Sequence, residues 1–422
     1  MLPVFFWYHQ NVKSKVAIIR GSSLNSWEMQ NYAPLAQEFD LLAIGSEEVK
    51  YDTAQVGFPI AKLKTLADMR SKLGPLKKLP LMGRLSDRFL HLDTLLSDVD
   101  IVHSAETFNV YSEQAADLKS RCRFKLVLTV WENIPFLWNG VGSDSGRVHR
   151  RKQKVIQATD HFIAITERAK AALLLEGVDE KKISVVPMGI DIERFTPQAK
   201  DTTVMQRFDL SEKDFVILSV GFLSWYKGMQ DLIYAAGRLK QQGLVDKHHL
   251  KFVIVGDGPD KAEIYRLIDR VGVRDIFRTV EKVPYEDMVR THNLADIFYL
   301  GSWPAKVWQE QFGMVLLEAM ACGKPIVAAE SGSIPEVVGP KKGPALPKGL
   351  TKQNSQDQPA AVLVPPADFY QLSRVLANLI TNQTRRVEMG LAGRERVKEN
   401  FTDRKIASQI GVLYNTLFDK VK

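Results

Sequence analysis

"FVILSVGFLSWYKGMQDLIYAAGRLKQQG", residues 215–243, holds one complete unit of the fold. Its opening, up to Gly221, is a nearly continuous apolar run rich in β-branched side chains. Such a run reads as a strand buried on both faces. From Gly228 onward the apolar residues recur at helical spacing and stop at Gly243, which predicts a helix over 228–243. A doubly buried strand followed directly by an amphipathic helix is the repeating unit of a parallel sheet covered by helices.

The same alternation continues on both sides. Downstream, "KFVIVGDG" (251–258) leads into the helical "PDKAEIYRLIDRVG", and "DIFYLGS" (296–302), "KPIVAAES" (324–331) and "AAVLVPP" (360–366) read as further strands. Upstream, "KVAIIR" (15–20), "DIVHS" (100–104), "KLVLTVW" (125–131), "HFIAIT" (161–166) and "ISVVPMGID" (183–191) read as strands. "WEMQNYAPLAQEF" (27–39) is predicted as one helix capped by Ser26, and "ERAKAALLLEG" as a helix closed by Gly177. A polar stretch, 192–208, interrupts the pattern, so a domain boundary is placed near residue 200. The expected architecture is α/β: two Rossmann-like domains, 1–200 and 201–400, with parallel sheets facing across a central cleft. The amphipathic 401–422 segment is expected to cross back to the first domain.

Bulk properties narrow the function. The 422 residues carry 57 Lys and Arg against 49 Asp and Glu, a net charge of +8 that points to an anionic partner. Nucleic acid is disfavoured, because no stacking aromatics interleave with the basic runs. Residues 62–84 hold seven basic side chains among leucines and one acid, a candidate surface for anionic lipid; the other reading is a solvated helix face. "RVHRRKQK" (147–154) poses the same choice. Two distant cysteines, Cys122 and Cys322, fit a reducing compartment and offer no metal-ligand spacing. There is no apolar run long enough to span a membrane, and "MLPVFFWYHQ" lacks a basic lead and a cleavage site. A cytoplasmic protein, peripheral on the inner face of the membrane, is the expectation.

In open α/β sheets ligands sit at the carboxyl ends of strands, beside helix N-termini. The richest such corner is "EQFGMVLLEAMACGKP" (310–325). A helix starting near Gly313 leaves the amides of Phe312, Gly313, Met314 and Val315 free for an anion. Glu318 shares its helix face with Met314, Val315, Ala321 and Cys322, which is apolar. A carboxylate there needs a partner. Either a ligand diol or an internal Arg or amide would serve.

At this point the sequence resembles a known family. Glu310 and Glu318 within "EQFGMVLLEAMACGKPIVA", together with "SGSIPEVVG" (331–339), "VVPMGIDIERFTP" (185–197) and "VGFLSWYKGMQDLIYAA" (220–236), resemble the family-4 retaining glycosyltransferases of GT-B architecture. The resemblance covers about residues 160–400 well and the N-terminal part weakly. It implies a nucleotide-sugar donor in the second half. Glu318 would hold the ribose hydroxyls, Glu310 the transferred sugar, and the 312–315 amides the diphosphate. Lys227 would neutralise charge as the glycosidic bond breaks, and Gly221 and Gly21 would let loops approach the donor. The family usually places Arg after Gly221; this chain has Phe222.

The resemblance also implies retention and metal independence, with no cofactor beyond the donor and no side-chain nucleophile. "DVD" (98–100) lies at a strand start, the wrong end to hold a cation on a diphosphate. On the acceptor side, where many relatives have His, "TVWENIPF" offers Trp131, to stack on a sugar or fill the core, and Glu132, to orient the acceptor or face water. His103 is a further cleft candidate, or a structural residue. A hydroxyl acceptor, lipid-linked or on a cell-surface glycan, is expected. A non-catalytic GT-B binding module and a nucleotide-sugar epimerase are the rival readings.

Overall fold

The computed structural model describes residues 13–71, 88–137, 145–339 and 360–419. Among these residues two sheets form, and every strand pairing in them is parallel. The first comprises β1 (Lys15–Gly21), β2 (Asp40–Ser46), β3 (Ile60–Leu63), β4 (Ile101–Ala105), β5 (Lys125–Val130), β6 (His161–Ala164) and β7 (Ile183–Val185). Its spatial order is β3-β2-β1-β4-β5-β6-β7. The second comprises β8 (Phe215–Val220), β9 (Leu250–Val255), β10 (Phe277–Val280), β11 (Ile297–Leu300), β12 (Ile326–Ala329) and β13 (Ala361–Val364), in the order β10-β9-β8-β11-β12-β13. The fold is the expected pair of Rossmann-like α/β domains of GT-B type.

Each sheet is covered on both faces, and the strand period of two decides which residue meets which cover. In β8, Val216, Leu218 and Val220 join one apolar cluster while Ile217 joins another. In β1, Ala17 and Ile19 face one way and Val16 and Ile18 the other. Strand order reverses between β1 and β4 and again between β8 and β11. Ligands of such sheets bind outside the carboxyl ends at these switch points. The residues found there are Gly21 and Glu106 in the first domain, and Gly221 and Ser302 in the second.

Beyond β7 the chain crosses to the second domain, and it returns at Phe401–Asp403. The two crossings run side by side: Ile190 N donates to Phe401 O at 2.8 Å, and Asp403 N donates to Ile190 O at 3.1 Å. The helix Asp403–Asp419 then packs on the first sheet through Ile406, Ala407, Ile410, Tyr414 and Leu417.

Several local expectations are corrected. Residues 27–39 are not one helix: Ser26–Met29 is a short helix capped by Asn25, and Ala33–Gln37 is a separate 3-10 turn with Pro34 at its start. Proline has no N–H to continue the first helix, which explains the break. The strand read over 183–191 stops at Val185, shortly before Pro187. Strands β3 and β10 lie at sheet edges, are only partly buried and lack the long apolar run that betrays a central strand.

The basic segments differ as well. Of 62–84, residues 72–84 lie outside the described residues, and 62–71 span the end of β3 and the helix Leu66–Ser71. Residues 147–154 lie in the helix Ser145–Ala158, but two of their cations turn inward. Arg151 is held by Glu113 and Phe108 O, and Lys152 is buried against Glu176. Among the described residues no helix is long and apolar enough to cross a membrane.

Candidate functional site

The switch point of the second sheet is built from three loops. After β11 the chain makes a small hairpin, closed by Ala305 N donating to Trp308 O at 2.7 Å, and then reaches Glu310. After β8 the 3-10 turn Trp225–Lys227 ends on Gly228, which begins the helix Met229–Gln241. Gly228 has φ 69, and a side chain there would overlap Gly301 O in the loop after β11. Only glycine permits that backbone contact. It brings Lys227 to Glu310: Lys227 Nζ donates to Oε2 at 2.8 Å, and Ser302 Oγ donates to the same oxygen at 2.5 Å. The Lys227 ammonium also stands 4.3 Å over the Trp308 ring, which stacks on Tyr226. Below, Trp303 Nε1 and Ala367 N both donate to Asp231 Oδ2, and burial pushes the Asp231 carboxyl up to about 6.

Gly313, at φ 84, starts the helix Met314–Ala321 with no side chain in the cap. The first-turn amides of a helix have no intrahelical acceptor and point outward. Met314 and Val315 are half-buried at this end, while Phe312 is buried against Phe401. Gly221 has open space around it, and Phe222, where the family resemblance leads one to expect Arg, is 53% exposed.

Glu318 is 4% exposed, and its partner is neither an arginine nor a backbone amide. His292 Nε2 donates to Oε2 at 2.8 Å, and the imidazole is itself fully buried. The other oxygen, Oε1, has no hydrogen-bond partner among the described residues. The internal partner is thus a histidine in place of the expected arginine or amide, and one carboxylate oxygen is left over. Cys322 is core, as its apolar face implies, and burial raises its thiol to about 12.

In the first domain, His103 does not reach the cleft. It lies inside β4, with Nδ1 2.6 Å from Tyr414 Oη and Nε2 2.7 Å from Thr129 Oγ1. Burial and the nearby Arg20 hold its pKa well below the usual value. It is a neutral core residue fixed by the C-terminal helix. The strand runs two residues further, so the side chain that follows its carboxyl end is Glu106. Trp131 is half-buried and packs against the apolar cluster of the second domain. Glu132 is not a solvated loop residue: it is buried, its Oε1 accepts from Ile134 N at 2.8 Å, and burial raises its pKa. Gly21 ends β1 beside the Tyr111 ring. Asp98 and Asp100 hold Lys15 at the opposite edge of the sheet.

The two domains touch through the loop after β5. Asn133 Nδ2 donates to Glu310 O at 2.9 Å and to Ser333 Oγ at 3.1 Å, and Gln309 Nε2 returns a bond to Asn133 O at 3.2 Å. Nearby, Glu167 N donates to Glu336 Oε1 at 2.7 Å. The cleft thus brings together Lys227, the Glu310 carboxyl, the Ser302 hydroxyl and the helix end at Gly313. Among the described residues no group of three or more His, Cys, Asp or Glu side chains is placed to hold a metal ion. The sequence reading missed His292, Ser302, Asn133 and Glu106. For Ser302 and Glu106 a usable signal existed, since each lies just past the carboxyl end of a switch-point strand.

Two family descriptions match the chain: "Glycosyltransferase Family 4" over residues 7–194 and "Glycosyl transferases group 1" over residues 200–396. D-inositol 3-phosphate glycosyltransferase 2 of Catenulispora acidiphila is 30% identical over 228 residues, 52% of each chain. A GDP-mannose-dependent monoacylated alpha-(1-6)-phosphatidylinositol monomannoside mannosyltransferase of Corynebacterium glutamicum is 31% identical over 224 residues, 51% of this chain and 52% of that one. The chain spans about half the length of these curated relatives. In overall fold it is similar to HepE of Anabaena, solved with UDP-glucose, at a TM-score of 0.72 and 18% identity, covering 95% of this chain and 99% of the other. It is also similar to sucrose-phosphate synthase of Thermosynechococcus elongatus, at 0.70 and 18%, covering 97% and 100%.

Proposed function

Because this chain belongs to the family 4 and group 1 glycosyltransferases, we propose that it moves a sugar from a nucleoside-diphosphate donor to an acceptor hydroxyl with retention. The observation that carries this reading is the Lys227–Glu310–Ser302 cluster, set at the switch point beside the open helix end at Gly313. The diphosphate lies on the amides of that helix end, with Lys227 as its fixed cation. Glu310 orients the hydroxyls of the transferred sugar. Glu318, held by His292 on one oxygen, accepts the ribose hydroxyls on the other.

The step itself needs no protein nucleophile. The bond from the anomeric carbon to the diphosphate breaks, and the bond to the acceptor oxygen forms on the same face. The acceptor proton passes to the leaving phosphate. Negative charge grows on the diphosphate during this step, so a preorganised cation beside it stabilises the transition state more than the ground state. Lys227 and the helix amides fill the part a metal would otherwise take, and no cofactor is required.

The test is a hydrolysis and transfer screen across UDP-, GDP- and ADP-sugars. Wild type is expected to turn over at least one of them, and Glu318→Ala to bind that donor about 10–100-fold more weakly, the worth of a hydrogen bond to a charged group. No turnover of any donor by either protein would instead indicate a binding module without catalysis.

The acceptor we propose is lipid-linked or a cell-surface glycan precursor. The enzyme would then work in the cytoplasm, peripherally on the inner face of the membrane, through the basic 62–84 segment. Anionic liposomes are expected to retain the protein at low salt and release it as ionic strength rises. No retention at low salt would remove the membrane from the reading.

A further inference from the structure

Glu106 has no part in the chemistry above, yet its surroundings are unusual. It follows β4 at the switch point of the first sheet with φ 62, in the left-handed region that a side chain rarely adopts. Its carboxyl is 7% exposed. Oε1 accepts two backbone hydrogen bonds, from Trp131 N at 2.8 Å and from Glu132 N at 3.1 Å. Oε2 is buried with no hydrogen-bond partner among the described residues. One side chain thus fastens two successive amides of the loop whose next residue, Asn133, reaches Glu310 O and Ser333 Oγ across the cleft.

We propose that Glu106 is the positioning residue of the acceptor-side loop, a carboxyl whose two accepted bonds hold the Trp131–Glu132 backbone in its cleft-facing course and whose hold weakens when it ionises in its buried pocket. Naming that loop the acceptor side rests on the transferase reading; the clamp itself does not. The charged groups around it explain why the neutral form is favoured. Glu132 lies beside it, on the loop it clamps. Lys152, on the helix Ser145–Ala158, is already paired with Glu176, at the end of the helix Glu167–Leu175. Arg151 of the first of these helices is taken by Glu113, and Arg20, at the end of β1, by Glu28. His103 beneath is neutral. An ionised Glu106 would therefore set an unanswered charge on Oε2 next to a second carboxyl in a dry pocket. Burial, reinforced by Glu132, accordingly raises its pKa to about 8.

The direction of the pH effect follows. With the loop detached, Glu106 meets water and titrates near the ordinary value of about 4.3. The clamped form binds the proton more tightly. Its advantage is fully present below about pH 4.3 and is lost as pH rises through about 8, above which it is constant.

The experiment is hydrogen exchange at the Trp131 and Glu132 amides of the full chain without substrate, corrected for the intrinsic rate, from pH 6 to pH 9.5. Wild-type protection is expected to fall by up to about tenfold per pH unit until about pH 8 and then level off. Glu106→Gln keeps the accepting oxygen and cannot ionise, so its protection should not vary with pH. Glu106→Ala should lose protection throughout, and it should lower kcat without weakening donor binding, with Glu106→Gln recovering most of that loss. Protection in Glu106→Gln that declines as in wild type would overturn the proposal, as would wild-type protection in Glu106→Ala. Exchange needs no turnover, so an inactive protein would count against the transferase reading while the clamp is judged on its own readout.

Discussion

Lys227→Ala is expected to lower kcat by about 10²–10³-fold, the usual cost of removing one preorganised charge-stabilising group. Three structural facts set the size of this effect. Lys227 is held in one place from two sides, by the Glu310 carboxylate and by the Trp308 ring. It lies at the carboxyl end of β8, where the donor diphosphate is proposed to sit. Phe222 stands where the family resemblance leads one to expect a second cation, and no arginine on that loop shares the charge with Lys227. The loss should appear in kcat more than in donor affinity, since the charge it answers grows during bond breaking. Saturating donor kinetics and calorimetric binding on the same variant separate the two. A kcat within about tenfold of wild type would show that the leaving diphosphate is stabilised elsewhere.

The second large effect is expected from Gly228→Ala, a change that adds one carbon directly after Lys227. It forces a residue with a side chain into φ 69 and drives that carbon into Gly301 O. The conformational strain costs about 1–3 kcal/mol and the overlap about 1–3 kcal/mol more. The loops after β8 and β11 must then part. Lys227 sits on one and Ser302 on the other, and Glu310 needs both. The denaturation midpoint of the second domain should fall and turnover should fall with it. A variant with an unchanged midpoint and full turnover would mean that these two loops are not in backbone contact in solution.

The central strands were legible because a strand buried on both faces is predominantly apolar, as β4, β5, β8 and β9 show. The edge strand β10, "FRTV", has no such compulsion, and its sequence looks like a loop. Glu318 stood out because its helix neighbours are apolar. Its partner did not, because His292 lies 26 residues away on another helix and only packing unites them. Asn133 and Glu310 are further apart still, 177 residues, and belong to different domains. His103 illustrates a finer limit. The strand was recognised, but it continues to Ala105, and a shift of three residues exchanges a core histidine for the carboxyl that fastens the loop after β5.

The helix Asp403–Asp419 supplies Ile406, Ile410, Tyr414 and Leu417 to the same apolar cluster as Val16, Ile18, Leu35 and Phe39. During synthesis the first domain therefore keeps part of one side of its sheet uncovered until residues 403–419 have been made. The second half, complete by about residue 400, can close earlier. Order of emergence and order of completion are reversed, and any cut that removes the tail strands the beginning of the chain rather than its end.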